Sequence, residues 1–118
     1  MNKYKTAMAG SRLLKVAKQI QEDLAEIFRL KAGKFSGNMI SVTHVEMTAD
    51  LGVAKVHLSI FPAENKAEIL DDIKEDSKTI RYELGKKIKN QLRKVPELVF
   101  YLDDSLDKAE RITNLLKD

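Results

Sequence analysis

The sequence predicts an α+β domain in which helices cover one face of a three-stranded sheet. Three observations carry this. Apolar residues recur every three or four positions at Leu13, Ala17, Ile20, Leu24, Ile27 and Phe28, and again at Ile69, Ile73, Ile80, Leu84, Ile88 and Leu92, as the buried stripe of a helix requires. Between these stretches lie two runs with apolar alternation, 39–48 and 53–61. Behind the second stretch, Leu98, Phe100 and Leu102 follow Pro96 at strand spacing. A small sheet must bury its apolar face, and the helices are what it can bury it against.

The elements follow in order. Residues 1–10 have no apolar period and are expected to form a flexible N-terminal tail, leaving 11–118 as a single domain. Ser11 is placed to cap the first helix, which should fade near Lys31, with Gly33 available to end it. A two-glycine loop, 33–38, leads into the first strand. There Ile40 and Val42 share one phase and Val45 and Met47 the other, so a bulge is expected near His44. The turn 49–52 draws its chemistry from Asp50 and Gly52. In the second strand Ala54, Val56, Leu58 and Ile60 face one way; Lys55, His57, Ser59 and Phe61 face the other. The two strands form an antiparallel hairpin. A long helical region follows, and the distance to the third strand allows a right-handed crossover and hence parallel pairing. Asp103, Asp104 and Ser105 turn the chain into a short helix with Leu106, Ala109, Ile112 and Leu116 on its apolar face. The expected core is Ile20, Leu24, Ile27, Val56, Leu58, Ile73, Ile80, Leu84, Ile88, Leu98 and Phe100.

Composition removes several function classes. At 118 residues, 43% hydrophobic with two prolines and five glycines, the chain suits one folded domain and not a disordered one. It has no cysteine, so a disulfide framework, a thiolate metal site and a cysteine nucleophile are impossible. No apolar run approaches the length of a membrane span and 1–10 lacks a signal-peptide core, so a soluble cytoplasmic protein is expected. His44 and His57 could face each other across the hairpin, but two imidazoles without further ligands do not make a metal site. Asp71 and Asp72 diverge by about 100° on a helix and are poorly placed to share a proton. Phosphate-loop and nucleophile-elbow motifs are absent. We therefore expect no catalytic residue, no metal, no cofactor and no small-molecule substrate.

Charge distribution is more informative than the net charge of +3. From Glu64 to Asp76 there are six acids and two lysines; from Lys78 to Lys94 there are seven basic residues and one acid, Glu83. Acids early and bases late in a helix complement its dipole, but only within the first and last turns. Five basic residues in the nine from Lys86 to Lys94 exceed that effect. A phosphate-facing surface is set against a merely solvated face. On the first reading Lys15, Lys18, Lys78, Arg81, Lys86, Lys87, Lys89, Arg93 and Lys94 are the phosphate contacts, arginines binding bidentately and lysines as point charges. No aromatic stacking platform is expected, because the chain has only seven aromatic residues and several are needed inside.

The long helical region also carries a fault. An unbroken helix over 66–94 would be about 43 Å long at 1.5 Å per residue, too long for a small sheet. The stripe misses a beat at Ser77, so a kink is expected at Asp76, Ser77 and Lys78, with Ser77 bonding back to the preceding turn. Gly85, inside the second half, indicates close approach by another element or by a ligand, and both readings stand.

The ordered set VTHVEMTADL from Val42, AKVHLS from Ala54, IRYELG from Ile80, LRKVPELVF from Leu92 and DDS from Asp103 resembles the ribosome-binding factor A family over Arg12 to Leu116. The family is similar in fold to the type II KH domain, α-β-β-α-kink-α-β. The resemblance implies a cytoplasmic factor of small (30S) subunit assembly. Such a factor binds the precursor subunit and its rRNA, assists maturation of the 5′ end of 16S rRNA, has no enzymatic activity and is linked to growth in the cold. KH domains carry a G-x-x-G loop, which the family replaces by an Ala-x-Gly kink; this chain has neither at Asp76-Ser77-Lys78. The competing class is a KH-like protein-interaction module that does not touch RNA. A monomer is expected on either reading.

Overall fold

The computed structural model describes residues 3–35, 37–61 and 64–103. Helix α1 runs Lys3–Leu30, strands β1 and β2 run Met39–Met47 and Val53–Phe61, helices α2 and α3 run Lys66–Glu75 and Ser77–Ile88, and β3 runs Glu97–Leu102. The predicted order of helices and strands is the order found. The proposed helix after Asp104 lies outside the described residues.

The sheet order is β1-β2-β3, with β1 antiparallel and β3 parallel to the central β2. The β1–β2 register slips between Val42 and His44, so Thr43 is the extra residue of a bulge. The slip returns Val45 and Met47 to the buried face after Ile40 and Val42. Beside it, the Val42 carbonyl accepts a bond from Gln21 Nε2 of α1 at 2.9 Å. At the hairpin Leu51 takes the left-handed φ of 61°, held by Asp50 Oδ1, which accepts from Gly52 N–H and Thr48 Oγ1. Those two bonds, from Thr48 first and then Gly52, hold the Asp50 carboxyl below the usual carboxylate range.

One face of the sheet is covered: α1 lies over β1 and beside α3, and α2 lies against β3. All eleven residues expected in the core are buried. Each fully buried Ile, Leu or Phe side chain contributes about 1.5–3 kcal/mol, so this layer is the main source of stability.

Four expectations are corrected. The first helix begins at Lys3, so Ser11 lies inside it and does not cap it, and residues 3–10 are helical where a flexible tail was expected. Ala7, Met8 and Ala9 are good helix formers, and no proline interrupts 3–10. Gly33 does not end α1; the helix closes when Lys31 N–H donates to both Ile27 and Phe28 carbonyls, and a short 3-10 turn, Ala32–Phe35, follows. Phe35 drives that turn inward, since it is buried with its ring centroid 6.2 Å from that of Phe28. Finally, α3 stops at Ile88 and not near Lys94. Gln91 and Leu92 N–H both donate to the Ile88 carbonyl, which turns the chain and returns Leu92 to the core.

Candidate nucleic-acid interface

The break between α2 and α3 is a single residue, Asp76, at φ −85° and ψ 4°. Backbone bonding continues across it: Asp76 N–H donates to Asp72 and Ile73 carbonyls, and Ile80 N–H donates to the Asp76 carbonyl. Its φ is negative, so this kink needs no glycine, and the missing Ala-x-Gly pattern has a physical explanation. What holds the bend is the Asp76 side chain, 7% exposed. Lys34 Nζ donates to Oδ1 at 2.7 Å and Lys31 Nζ to Oδ2 at 3.3 Å. Burial pushes the Asp76 carboxyl up, but the bonds from Lys34 and Lys31 together with their charges outweigh it, and the net shift is downward. No bond from Ser77 back to the preceding turn occurs among the described residues; Asp76 and the two lysines take that part.

Helix α3 presents Lys78, Arg81, Tyr82, Gly85 and Lys86 on one face, at spacings of three and four. The turn 89–94 folds beside this face. Together they line an open groove of about 620 Å³, whose walls carry Lys78, Arg81, Lys86, Lys89, Arg93 and Lys94 and no acid. Lys89, Arg93 and Lys94 also line an adjoining groove of about 650 Å³, where Arg12 of α1 joins them beside Asp50. Lys94 lines a third, smaller concavity with Ser77 and Gly52, so it stands at the junction of all three. Among the described residues, none of Lys78, Lys86, Lys89, Arg93 and Lys94 has a carboxylate partner.

The structure therefore brings together Lys78, Arg81, Lys86, Lys89, Arg93 and Lys94 around the groove and leaves Lys15, Lys18 and Lys87 outside it. Arg81 lines the groove but its guanidinium is engaged: Nη2 donates to the Val95 carbonyl at 2.6 Å and Nε to the Pro96 carbonyl at 3.1 Å. It positions the basic turn. Lys87 points the other way, to Glu26 of α1 at 2.9 Å, and this bond with the Lys87 charge holds the Glu26 carboxyl below its usual range. The reason is geometric, since Lys86 and Lys87 diverge by about 100° around the helix. Lys15 and Lys18 are exposed on α1 but line none of the three concavities. Arg12 was missed; the one hint in sequence is that the first eighteen residues carry five bases, Arg12 among them, and no acid. Gly85 is explained by packing: a Cβ there would meet Val95 Cγ2 at 3.0 Å.

Aromatic placement also differs from expectation. Phe28, Phe35 and Phe100 are inside, but Tyr82 is 66% exposed in the groove and Phe61 and Tyr101 are exposed too. On the sheet face that no described element covers, His44, His57 and Tyr101 form a row with ring centroids 5.6 and 5.2 Å apart. Among the described residues no group of three His, Asp or Glu is placed to hold a metal. No helix there is long and apolar enough to cross a membrane.

Fold and groove define a small α+β protein that offers a cationic concavity between a kinked helix and the turn behind it. Comparison with known proteins is consistent over nearly the whole chain. The sequence profile described as ribosome-binding factor A matches residues 12–116. A ribosome-binding factor A of Flavobacterium psychrophilum is 45% identical over 111 residues, covering 92% of this chain and 85% of the relative. That of Chlorobaculum parvum is 42% identical over 107 residues, covering 90% and 88%. The crystal structure of ribosome-binding factor A from Thermus thermophilus superposes with a TM-score of 0.63 at 21% identity, over 76% of this chain and 94% of that one. A homology model of the Thermus thermophilus factor, fitted into a cryo-EM map of a 30S complex, gives 0.60 at 21% identity over 75% and 91%. The chain belongs to the ribosome-binding factor A family.

Proposed function

We propose that this protein is a non-enzymatic factor of small-subunit assembly. It binds the precursor 30S subunit through rRNA phosphates and assists maturation of the 5′ end of 16S rRNA, acting as a cytoplasmic monomer whose loss is felt most in the cold. The observation that carries the reading is the groove with six basic side chains and no acid, none of the six paired with a carboxylate among the described residues. Such a lining is costly in a free protein through self-repulsion and is relieved by a polyanion. Phosphate contacts of this kind position a protein on RNA without reading sequence. Family membership supports the partner: the Thermus thermophilus relative has been fitted into a map of a 30S complex.

The test combines a charge reversal with a salt titration. Lys78, Lys89 and Lys94 replaced together by Glu should abolish co-sedimentation with free small subunits without lowering Tm, because all three are exposed and like-charge repulsion is relieved. About five phosphate contacts on single-stranded rRNA predict a slope of log affinity against log salt near −3.5, from roughly −0.7 per contact. Depleting the protein should leave an unprocessed 5′ end on 16S rRNA. A second reading has its own observation: Met39 and Phe61 are cross-strand partners and both are exposed, on the sheet face no described element covers. A flat salt response, with binding lost instead on Phe61→Ser, would favour a protein contact there.

A further inference from the structure

We propose that Tyr82 is a stacking residue for an unpaired RNA base, which makes the groove selective for single strands over duplex; this rests on the phosphate-binding reading above. Three facts converge on the ring. Tyr82 is 66% exposed on a helix face whose other polar members, Lys78, Arg81 and Lys86, are all basic. The ammonium of Lys86 lies over the ring, 4.7 Å from its centroid. Beside it, Gly85 and the half-buried Val95 supply an apolar wall where helix and turn come into close contact.

An aromatic ring set among unpaired cations is the combination that single-strand binders use. The charges track the backbone, and the ring accepts any base, since every base has a π-face. A base paired in the interior of an A-form helix is already stacked on both sides and cannot offer that face, and a terminal pair offers it only at the two ends of the duplex. Lys86 covers one face of the ring, so the base stacks on the opposite face, and the Lys86 ammonium is placed to meet the phosphate of the stacked nucleotide. The bland alternative is a solvated cation–π pair, which makes no demand on the strandedness of a ligand.

The full chain contains no tryptophan, which supplies the experiment. Tyr82→Trp creates a single reporter. Its emission should be quenched by a short single-stranded RNA and left unchanged by a blunt RNA duplex of the same length and by the same strand made abasic. In parallel, Tyr82→Ala should weaken single-strand binding about tenfold. It should leave duplex and abasic-strand affinity within twofold of wild type and keep the salt slope. Tyr82→Phe should bind like wild type, because the ring and not the hydroxyl acts. Equal losses on single strand, duplex and abasic strand, or no loss on any, overturn the proposal while leaving the electrostatic reading intact. If wild type binds none of the three RNAs, both readings fall; if only the Tyr82 proposal fails, wild type binds all three and Lys89→Glu weakens each.

Discussion

Replacing Asp76 by Ala should unlock the kink. The carboxylate is 7% exposed and receives two lysines from 42 and 45 residues earlier in the chain. Lys31 is itself mostly buried, so its bond falls in the range of about 1.5–3 kcal/mol for hydrogen bonds to charged groups. Lys34 is 55% exposed, and its bond adds less than about 1 kcal/mol after solvent screening. Removing the carboxylate does not strand Lys31, because Glu83 lies 3.3 Å from the same ammonium. The cost is therefore about 2–3 kcal/mol, and not the larger loss seen when a buried charge is left unpaired. For a domain of this size that lowers Tm by about 10 °C. Urea unfolding of Asp76→Ala, Lys31→Ala, Lys34→Ala and the double variants measures it. Coupling with Lys31 should exceed coupling with Lys34. The pH dependence follows from the lowered carboxyl. With a folded pKa below the unfolded value near 3.9, the stabilisation is fully present above that value and is lost as pH falls through the folded pKa. Asp76→Asn should flatten the acid limb of the stability curve. A loss under about 1 kcal/mol for Asp76→Ala, or strict additivity with Lys31→Ala, refutes the clamp.

Arg81→Met should cost about 2 kcal/mol by orphaning the Val95 and Pro96 carbonyls, and should weaken RNA binding by loosening the basic turn; urea unfolding and filter binding on the same preparation read both. Lys87→Ala should leave RNA affinity within twofold while Lys89→Ala lowers it severalfold, since only Lys89 lines the groove; paired salt titrations separate them. Gln21→Ala should cost about 1 kcal/mol by removing the donor to the Val42 carbonyl at the bulge, seen as a shift in the urea midpoint without a change in slope.

The parts legible in the sequence are those fixed by local periodicity. The eleven predicted core residues are buried, and the phase slip in β1 located the bulge, because a one-residue insertion reverses which residues face the core. The end of α3 was not legible. Leu92 lies four residues beyond Ile88, so a helix and a turn that returns Leu92 to the core satisfy the same spacing. The clamp on Asp76 was hidden for another reason. Within its own segment Asp76 is one acid among six, and only the tertiary fold brings Lys31 and Lys34 to it. Arg81 was misread because its acceptors are backbone carbonyls, which carry no signature in sequence. The split between Lys86 and Lys87 could have been found, since a helical wheel separates them by about 100°.

These misreadings share a physical origin, and it bears on why the groove is where it is. A net charge of +3 would ordinarily be spread as mixed signs over a surface. Here the acids Glu26, Asp76 and Glu83 are taken up by Lys87, Lys31 and Lys34, in pairings that join α1 and the turn after it to α3 and the kink before it. Neutralising charge on that side leaves the other side of α3 with bases alone. The turn 89–94 carries half the groove's cations yet lies outside helix and strand. Its shape depends on Arg81, on Leu92 in the core and on the contact that Gly85 permits with Val95. Repulsion among Lys89, Arg93 and Lys94 works against those restraints in the free protein. A bound phosphate backbone would remove the repulsion and tighten the turn, so ligand affinity and the order of this segment are two readings of one equilibrium.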